Sequence, residues 1–347
     1  MKQKIWRAVA LFLVCGMLLG TACACADRKN KRTIGKMGEY DIPYEQLRFI
    51  TMTYKAELDL RYGDGDDSNG TIWDDAATAE QYRAELEGLV WDTMRKDYSV
   101  LKACAEYGIG KKTFEGKTVQ KAIDAGMTDF IDEYASKEEC LHDLETRFAT
   151  EGVARFYFGL DEMKYQLYNA MSKKGDFITS EAAFENWLRD GNSAYVQHFL
   201  LRYETDEEKA DKRARIEEAR QKLIAGEWSL TDCILNANED LQNVAPYFVV
   251  RGVHQEALVN AAVALEQDGD VSEVIDLGGV FYVLVRMEET PIESANGATE
   301  TPMSLQLSQL MSNYQWAIVG DVVAAKQNNV TIELTKYGKK IDLVKMK

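Results

Sequence analysis

Ala194-Tyr-Val-Gln-His-Phe-Leu-Leu-Arg202 opens the stretch of sequence that decides the fold of this chain. Aromatic and β-branched residues are frequent in it and apolar positions alternate, which predicts a strand with His198 near its middle. The whole stretch runs from Tyr195 to Glu289. We interpret it as one small α/β domain.

A long helix is predicted directly after this strand. Thr205 or Asp206 can cap its N-terminus, because a side-chain oxygen there accepts hydrogen bonds from the backbone N–H groups of the first turn. Gly226 is placed to end the helix, since glycine tolerates the left-handed conformation that follows many helices. Apolar residues at helical spacing form its buried face: Ile216, Ala219 and Leu223.

Turns, a second helix and a closing strand follow. The turn Arg251-Gly-Val-His254 leads into a short helix, and a second turn is predicted at Gly269-Asp-Val-Ser272. Val274-Ile275 is a short extended piece, and Gly279-Val-Phe-Tyr-Val-Leu-Val285 is a buried final strand. The apolar positions of the short helix are Leu258, Ala261, Ala262 and Leu265.

This order of elements resembles the parvulin family of prolyl isomerases. The shared features are a first strand with a histidine, a long helix that ends in glycine before an aromatic residue (Gly226-Glu-Trp228), an Arg-Gly turn, an apolar helix, a Gly-x-Val-Ser turn and a final strand led by glycine. The resemblance covers residues 195–289 and implies a small α/β fold with isomerase activity.

The chemistry that the resemblance implies uses no nucleophile. The barrier to rotation of a peptide bond is roughly 18–20 kcal/mol, and an X-Pro bond relaxes in tens to hundreds of seconds. A site that binds the twisted amide more tightly than the planar amide is therefore a catalyst. Parvulins place two histidines on adjacent strands beside a Cys or Asp, and an apolar pocket holds the proline ring.

Part of that active site has a counterpart in this sequence. His198 falls on the first histidine, and Asp240 is the candidate for the acidic member. Phe281 takes the place of the second histidine, with Tyr282 one register away. The Gly-Gly segment that the family has before its Arg-Gly turn is absent, because residues 227–251 contain no glycine. The resemblance thus implies His198, Asp240, Phe281 and Tyr282 as catalytic candidates.

The predicted substrate-binding residues are Phe248, His254 and Leu258. His254 falls where the family has a pocket methionine, and Leu258 falls on its phenylalanine. From the residues alone, His198 is either a structural or a catalytic histidine. For His254 the simpler interpretation is a surface residue at the start of a helix.

The beginning of the chain predicts export. Three positively charged residues precede an apolar run at residues 8–22, which is shorter than the roughly 20 residues of a membrane-spanning helix. We therefore predict an export signal over residues 1–26. A lipoprotein signal is favoured, with Cys23 or Cys25 as the lipid-modified residue, because two cysteines close the apolar segment. The alternative is simple cleavage after Ala26.

The charge of the chain argues against nucleic acid as a partner. The formal net charge is −16, and loss of the three positive charges within residues 1–26 lowers it to −19. A protein this acidic repels a polyanion. Contact with a membrane would instead go through the lipid anchor.

Neither a metal nor another cofactor is predicted. Only three histidines exist and they lie far apart, so a zinc site is not expected. Three cysteines follow the signal: Cys104, Cys140 and Cys233. We predict that they pack as small buried residues, with a Cys104–Cys140 disulfide as the open alternative.

Residues 34–190 are predicted to form helices. Gly63 and Gly108 are the expected ends of the first two. Aromatic and Met residues are frequent in their apolar stripes, and we interpret these stripes as a shared core rather than a ligand groove. The predicted starts are Asp41-Ile-Pro43, the capping boxes Thr78-x-x-Gln81 and Ser136-x-x-Glu139, and Val153.

The segment Ile34–Arg48 looks like the start of the chaperone domain in SurA- and PrsA-type foldases. In that family the parvulin domain is inserted into the helical chaperone domain, and the chain returns afterwards to complete that helical domain. The return would be a helix at Ser304–Ala325 and two closing strands, Val330–Leu334 and Ile341–Val344. Residues 289–303 have the composition of a linker.

The predicted fold class is α+β, with a mainly helical, discontinuous chaperone domain and a small parvulin-like α/β domain. The predicted divisions are the signal at 1–26, the SurA-N-like helical domain at 34–190, the parvulin-like domain at 193–290 and the returning segment at 304–347.

Two functions from different classes follow from these expectations. The first is an exported, membrane-anchored folding factor that binds unfolded or newly exported polypeptides and has weak prolyl isomerase activity. The second is a non-catalytic chaperone or peptide-holding lipoprotein on a degenerate parvulin scaffold, which the missing second histidine favours. A solute-binding lipoprotein fits poorly, because the helical part lacks the repeated βα pattern of such folds.

Overall fold

The computed structural model describes residues 30–63, 70–293 and 299–347. The chain forms two compact units. The helical unit comprises the chain up to Met171 together with Val319–Lys347, and the sheet unit comprises Ser172–Ile318. The predicted signal, with Cys23 and Cys25, lies outside the described residues. Within the described residues, none of the helices is long and apolar enough to cross a membrane.

A β-hairpin begins the helical unit. β1 (Thr33–Met37) pairs antiparallel with β2 (Tyr40–Pro43), and helix α1 (Tyr44–Tyr62) begins directly after Pro43. The prediction that Asp41-Ile-Pro43 starts a helix is therefore wrong. Ile42 is fully buried, and the backbone there pairs with β1, so these residues are more stable as a strand.

Six further helices follow α1 and begin before residue 175 in the described part of the chain. Leu47, Ile50 and Leu58 of α1 are buried. Apolar residues of the later helices are buried as well, which confirms the predicted mainly helical α+β class. The helices are α2 (Ala76–Gln81), α3 (Arg83–Glu106), α4 (Lys111–Phe114), α5 (Lys117–Ile131), α6 (Lys137–Thr146) and α7 (Glu151–Lys174).

The helix start predicted at Ser136 is correct, but the Glu139 carboxylate accepts the Ala135 N–H at 3.0 Å instead of completing the capping box. Ser136 caps α6, where its hydroxyl accepts a hydrogen bond from the Glu139 N–H at 3.1 Å. The predicted start at Thr78 is wrong, because Asp75 caps α2 and its Oδ1 accepts the Thr78 N–H at 2.8 Å. A carboxylate three residues earlier is a better acceptor for the orphan N–H groups than the threonine hydroxyl.

The sheet unit is built on a four-stranded antiparallel sheet with the order β4-β3-β6-β5. The central strand β3 carries His198, as predicted, and pairs with both β4 and β6. The strands of the sheet are β3 (Ser193–Arg202), β4 (Tyr247–Val250), β5 (Ile275–Asp276) and β6 (Val280–Arg286). Four helices of the sheet unit are α8 (Glu181–Trp187), α9 (Asp206–Ile224), α10 (Leu230–Ala237) and α11 (Glu256–Val263).

Local signals place the ends of these elements. The hydroxyl of Thr205 accepts the Glu208 N–H at 3.2 Å and caps α9, as predicted. Gly226 and Gly252 have φ values of 70° and 76°, in the left-handed region that glycine tolerates. Helix α10 was not predicted, although Ser229 and Asp232 form a complete capping box at its start.

The two faces of the sheet carry different cores, because successive residues of a strand point to opposite sides. Phe199 and Leu201 of β3 pack with residues of α9, α10 and β6. Ala194 and Val196 pack against α11 and Leu284. A third cluster joins α8 and β4 to helix α12 (Pro302–Ala324), which follows two short paired strands, β7 (Ile292–Glu293) and β8 (Thr299–Glu300), in the predicted linker.

The last residues complete the helical unit. β9 (Glu333–Leu334) pairs antiparallel with β1, so the small sheet has the order β2-β1-β9. The second predicted closing strand, Ile341–Val344, is wrong. The Asp342 carboxylate accepts the Val344 N–H at 3.1 Å, and this local turn takes the backbone group that a strand would need for pairing.

The cysteines of the described residues are all buried and unbridged. Cys104, Cys140 and Cys233 are free thiols, so the alternative of a Cys104–Cys140 disulfide is not realised in this structure. They pack as small buried side chains, as predicted.

Candidate functional site

His198 lies in the middle of β3, past the point where the pairing of β3 with β4 ends. It pairs across β3 and β6 with Leu284, and it stands beyond the last β3–β4 pair, Val196 with Tyr247. The residue is only 4% exposed. Neither ring nitrogen has a hydrogen-bond partner among the described residues. A buried histidine without such partners is unusual and calls for a functional or structural explanation.

The loop between α10 and β4 brings a carboxylate to His198. The Glu239 N–H donates to the Leu200 carbonyl at 2.9 Å, which ties the loop to the free edge of β3. The Asn243 side-chain amide donates to both Asp240 carboxylate oxygens, at 2.9 and 3.1 Å. Asp240 Oδ2 consequently lies 3.7 Å from His198 Nε2, which is longer than a hydrogen bond.

Two tyrosine rings enclose the imidazole. The centroids of the Tyr247 and Tyr282 rings each lie 5.4 Å from that of His198, at interplanar angles of 87° and 54°. The Tyr247 ring also lies 6.1 Å from the His254 ring. We call His198, Asp240, Tyr247 and Tyr282 the His198 cluster.

Burial controls the ionisation of this cluster. It lowers the pKa of His198, while the nearby Asp240 carboxylate opposes the change. It also raises the pKa of Tyr247 and of Tyr282. Near neutral pH the imidazole and both phenols are therefore uncharged, and each can donate or accept hydrogen bonds.

Three of the four predicted catalytic candidates come together. His198, Asp240 and Tyr282 belong to the cluster, whereas Phe281 points to the opposite face of the sheet. Phe281 is fully buried in the core with Phe199, and it lies 4.8 Å from the Tyr203 ring. The structure does not bring it to His198.

The predicted substrate-binding residues are not members of the His198 cluster. Phe248 is buried on the face opposite His198, with its ring 4.8 Å from that of Tyr195. Leu258 is buried in the core beneath α11. His254 is half-buried, and its Nδ1 accepts the Val250 N–H at 3.0 Å, so it fixes the turn after β4.

Tyr247 is the site residue that the sequence analysis missed. The signal was present, because Tyr247-Phe-Val-Val250 is a short aromatic and β-branched run between a proline and the Arg251-Gly252 turn. Such a run predicts a strand. Its first side chain then falls on the same face as His198.

Helix α10 and the loop that carries Asp240 also expose apolar side chains. Leu235, Leu241 and Val244 are 71%, 66% and 37% exposed. We call these three residues the apolar rim. Single exposed apolar residues are common on proteins, and these three lie within ten positions of the chain.

The residues present do not suit a metal ion. Within residues 30–63, 70–293 and 299–347, no group of three or more His, Cys, Asp and Glu side chains is arranged to hold one. In the His198 cluster only the imidazole and the Asp240 carboxylate are common metal ligands.

Several solved structures of foldases are similar in fold to this chain. The peptidylprolyl isomerase PrsA from Bacillus anthracis is 12% identical, with 69% of this chain and 97% of that chain covered and a TM-score of 0.38. The foldase PrsA from Streptococcus pneumoniae is 15% identical, with 80% and 95% covered and a TM-score of 0.33. A structure described as that of SurA-like chaperones from Campylobacter jejuni is 13% identical, with 88% and 99% covered and a TM-score of 0.25. At these identities and TM-scores the likeness assigns no activity and no residue role to this chain.

Comparison by sequence gives a different and shorter match. An acireductone dioxygenase from Hydrogenobaculum sp. (strain Y04AAS1) is 30% identical over 129 residues, which are 35% of this chain and 67% of that protein. The activity that this name describes is said of that protein alone, and most of this chain lies outside the match. No protein-family model matches the chain.

Proposed function

We propose that this chain, similar in fold to the PrsA-type and SurA-like foldases, is an exported folding factor that binds unfolded polypeptides and accelerates X-Pro rotation at the His198 cluster. The observation that carries the proposal is the convergence of a neutral imidazole, two phenols and a carboxylate beside an exposed apolar rim. Export and lipid attachment at Cys23 or Cys25 belong to the proposal and rest on residues 1–26.

The cluster has the chemistry that amide rotation needs. Rotation breaks the resonance of the C–N bond, so the twisted amide is less stable than the planar form. A partly water-free site with His198 and Tyr282 as hydrogen-bonding groups can bind the twisted form preferentially. Each preference of about 1.4 kcal/mol for the twisted form accelerates the rotation tenfold. No nucleophile, metal or cofactor is needed for this step.

Holding a client without catalysis is the second candidate, and one specific observation favours it. His198 is 4% exposed, so a substrate reaches the imidazole only after a neighbouring side chain moves. The apolar rim, in contrast, is accessible without any change. In this alternative the rim contacts apolar segments of unfolded clients, and the buried cluster has no catalytic part.

Both candidates predict that the apolar rim is needed for client binding. We expect the triple variant Leu235→Ser, Leu241→Ser, Val244→Ser to suppress the aggregation of an unfolded client about fivefold less well. Each replacement removes apolar area that a client could bury, and burial of apolar area stabilises a complex by roughly 25 cal/mol per Å². Light scattering during dilution of the denatured client measures this. Stability should change little, since surface substitutions usually stay within about 0.5 kcal/mol.

A matched control uses three other exposed apolar residues of the sheet unit. Ile224, Ile292 and Leu305 are 53%, 54% and 53% exposed and lie on other elements. Their triple replacement by serine should leave the suppression unchanged. Equal losses in the two triple variants would mean that general surface hydrophobicity, rather than the apolar rim, binds clients.

A further inference from the structure

The side chain of Tyr247 covers His198. Its ring stands edge-on to the imidazole at a centroid distance of 5.4 Å and an interplanar angle of 87°. Tyr247 itself is half-buried, and the Tyr282 ring also lies beside the imidazole. Both rings are in contact with His198, which is 4% exposed.

A purely structural role explains this arrangement poorly. Both ring nitrogens of His198 are buried without a hydrogen-bond partner among the described residues, and Asp240 is too distant to supply one. Leaving buried polar atoms unpaired destabilises a fold, whereas an apolar side chain at this position would not. The ring nitrogens are therefore available to a polar partner from outside the chain.

The position of Tyr247 allows its side chain to leave without disrupting the sheet. It is the first residue of β4, and its backbone pairs with Val196. Residues 241–245 before it are exposed and belong to no helix or strand. Rotation about the Cα–Cβ bond moves a tyrosine ring between staggered positions and leaves backbone pairing intact.

We propose that the Tyr247 ring occupies the place that the prolyl ring of a substrate takes beside His198, so that Tyr247 controls access to the cluster. The inference rests on the proposed function. A prolyl ring is a compact apolar ring, and the polypeptide that carries it supplies the carbonyl acceptor and N–H donors that the buried imidazole lacks. Substrates are then unfolded X-Pro segments, whose binding displaces the Tyr247 ring. A folded surface would be a poor ligand.

The first test measures access to His198 directly. Diethyl pyrocarbonate modifies neutral imidazole nitrogens, and the chain has only three histidines, of which His142 is exposed and serves as the reference within each molecule. Peptide mass mapping gives the labelling rate of His198 relative to His142. We expect Tyr247→Val to raise this ratio about tenfold or more, because the open form of a two-state element is typically about 0.1–10% populated. Valine keeps a β-branched residue in the strand.

Two further variants serve as controls. Tyr195→Val makes the same change on β3, where the ring packs against Phe248 on the opposite face, and His198 labelling should stay slow. Tyr247→Phe retains the ring, and labelling should stay slow there as well. The proposal is overturned if His198 in Tyr247→Val is labelled as slowly as in the original protein, or if Tyr195→Val raises the ratio equally.

An activity measurement separates this inference from the proposed function. We expect Tyr247→Val to raise kcat/KM for isomerisation of an X-Pro peptide about tenfold, by the same opening of the site. Adding His198→Ala should remove that gain. Faster labelling without isomerisation in any variant would keep Tyr247 as the cover of His198 and would refute the isomerase part of the proposed function. Slow labelling of His198 in Tyr247→Val would refute the proposal that Tyr247 covers His198, whatever the isomerase activity.

Discussion

Replacing Phe281 by alanine is expected to lower the free energy of unfolding of the sheet unit by about 3–5 kcal/mol, the range for removing a fully buried phenylalanine. Phe281 is 0% exposed and packs with Phe199, Leu201 and Val283. Its loss leaves a cavity between the sheet and α9. Urea titration followed by hydrogen exchange of the β6 amides measures the effect.

Tyr282→Ala is the matched control, because Tyr282 is the next residue on the same strand. It is half-buried and faces His198, so its replacement should cost less stability and should change the environment of His198 instead. A larger loss of stability in Tyr282→Ala than in Phe281→Ala would mean that Tyr282, and not Phe281, points into the core with Phe199. The assignment of Tyr282, rather than Phe281, to the site would then be refuted.

Replacing Gly338 by alanine is expected to destabilise the helical unit by about 3 kcal/mol or more, above the usual cost of overpacking. A Cβ atom at Gly338 would stand 2.0 Å from the Ile34 carbonyl oxygen of β1. The backbone fixes the position of the Cβ atom, and the Ile34 oxygen is itself a backbone atom, so no side-chain rotation can relieve the clash. The last segment must therefore separate from β1, where the Ile34 carbonyl accepts the Thr335 N–H at 2.9 Å.

Gly88→Ala in helix α3 is the control for this prediction. No heavy atom lies within 4 Å of the position that its Cβ would take. Alanine there should stabilise the helical unit by about 0.5–1 kcal/mol, because glycine is a poor helix residue. Hydrogen exchange of the β1 amides should rise in Gly338→Ala and not in Gly88→Ala. Unchanged exchange in Gly338→Ala would contradict the packing of the C-terminal segment on β1.

Much of the fold could be predicted because its signals are local. The cap at Thr205, the cap at Ser136 and the left-handed glycine at Gly226 each depend on a few neighbouring residues. The strand with His198 was evident from its own alternation. The errors arose where another segment decides the outcome. Asp41-Ile-Pro43 is a strand because β1 lies beside it, and Ile341–Val344 is a turn because Asp342 captures a backbone N–H.

The site was predicted in part for the same reason. His198, Asp240 and Tyr282 could be selected as chemically suitable residues in a resembling order, but which of Phe281 and Tyr282 faces His198 depends on the pairing of β6 with β3. Register is a property of two strands, so one sequence segment does not determine it. Tyr247 was missed because β4 was not recognised. Without that strand, nothing in the sequence places its side chain on the imidazole.

The refolding of a client with a slow, proline-limited phase tests whether this chain is a folding factor with isomerase activity at His198. Such a phase takes roughly 10–100 s unaided at 25 °C. We predict that the protein without residues 1–26 accelerates this phase in proportion to its concentration, and that a folded His198→Ala variant loses most of the acceleration while it still raises the yield of refolded client. If neither the rate nor the yield responds to the original protein, the chain is not a folding factor and the account is contradicted.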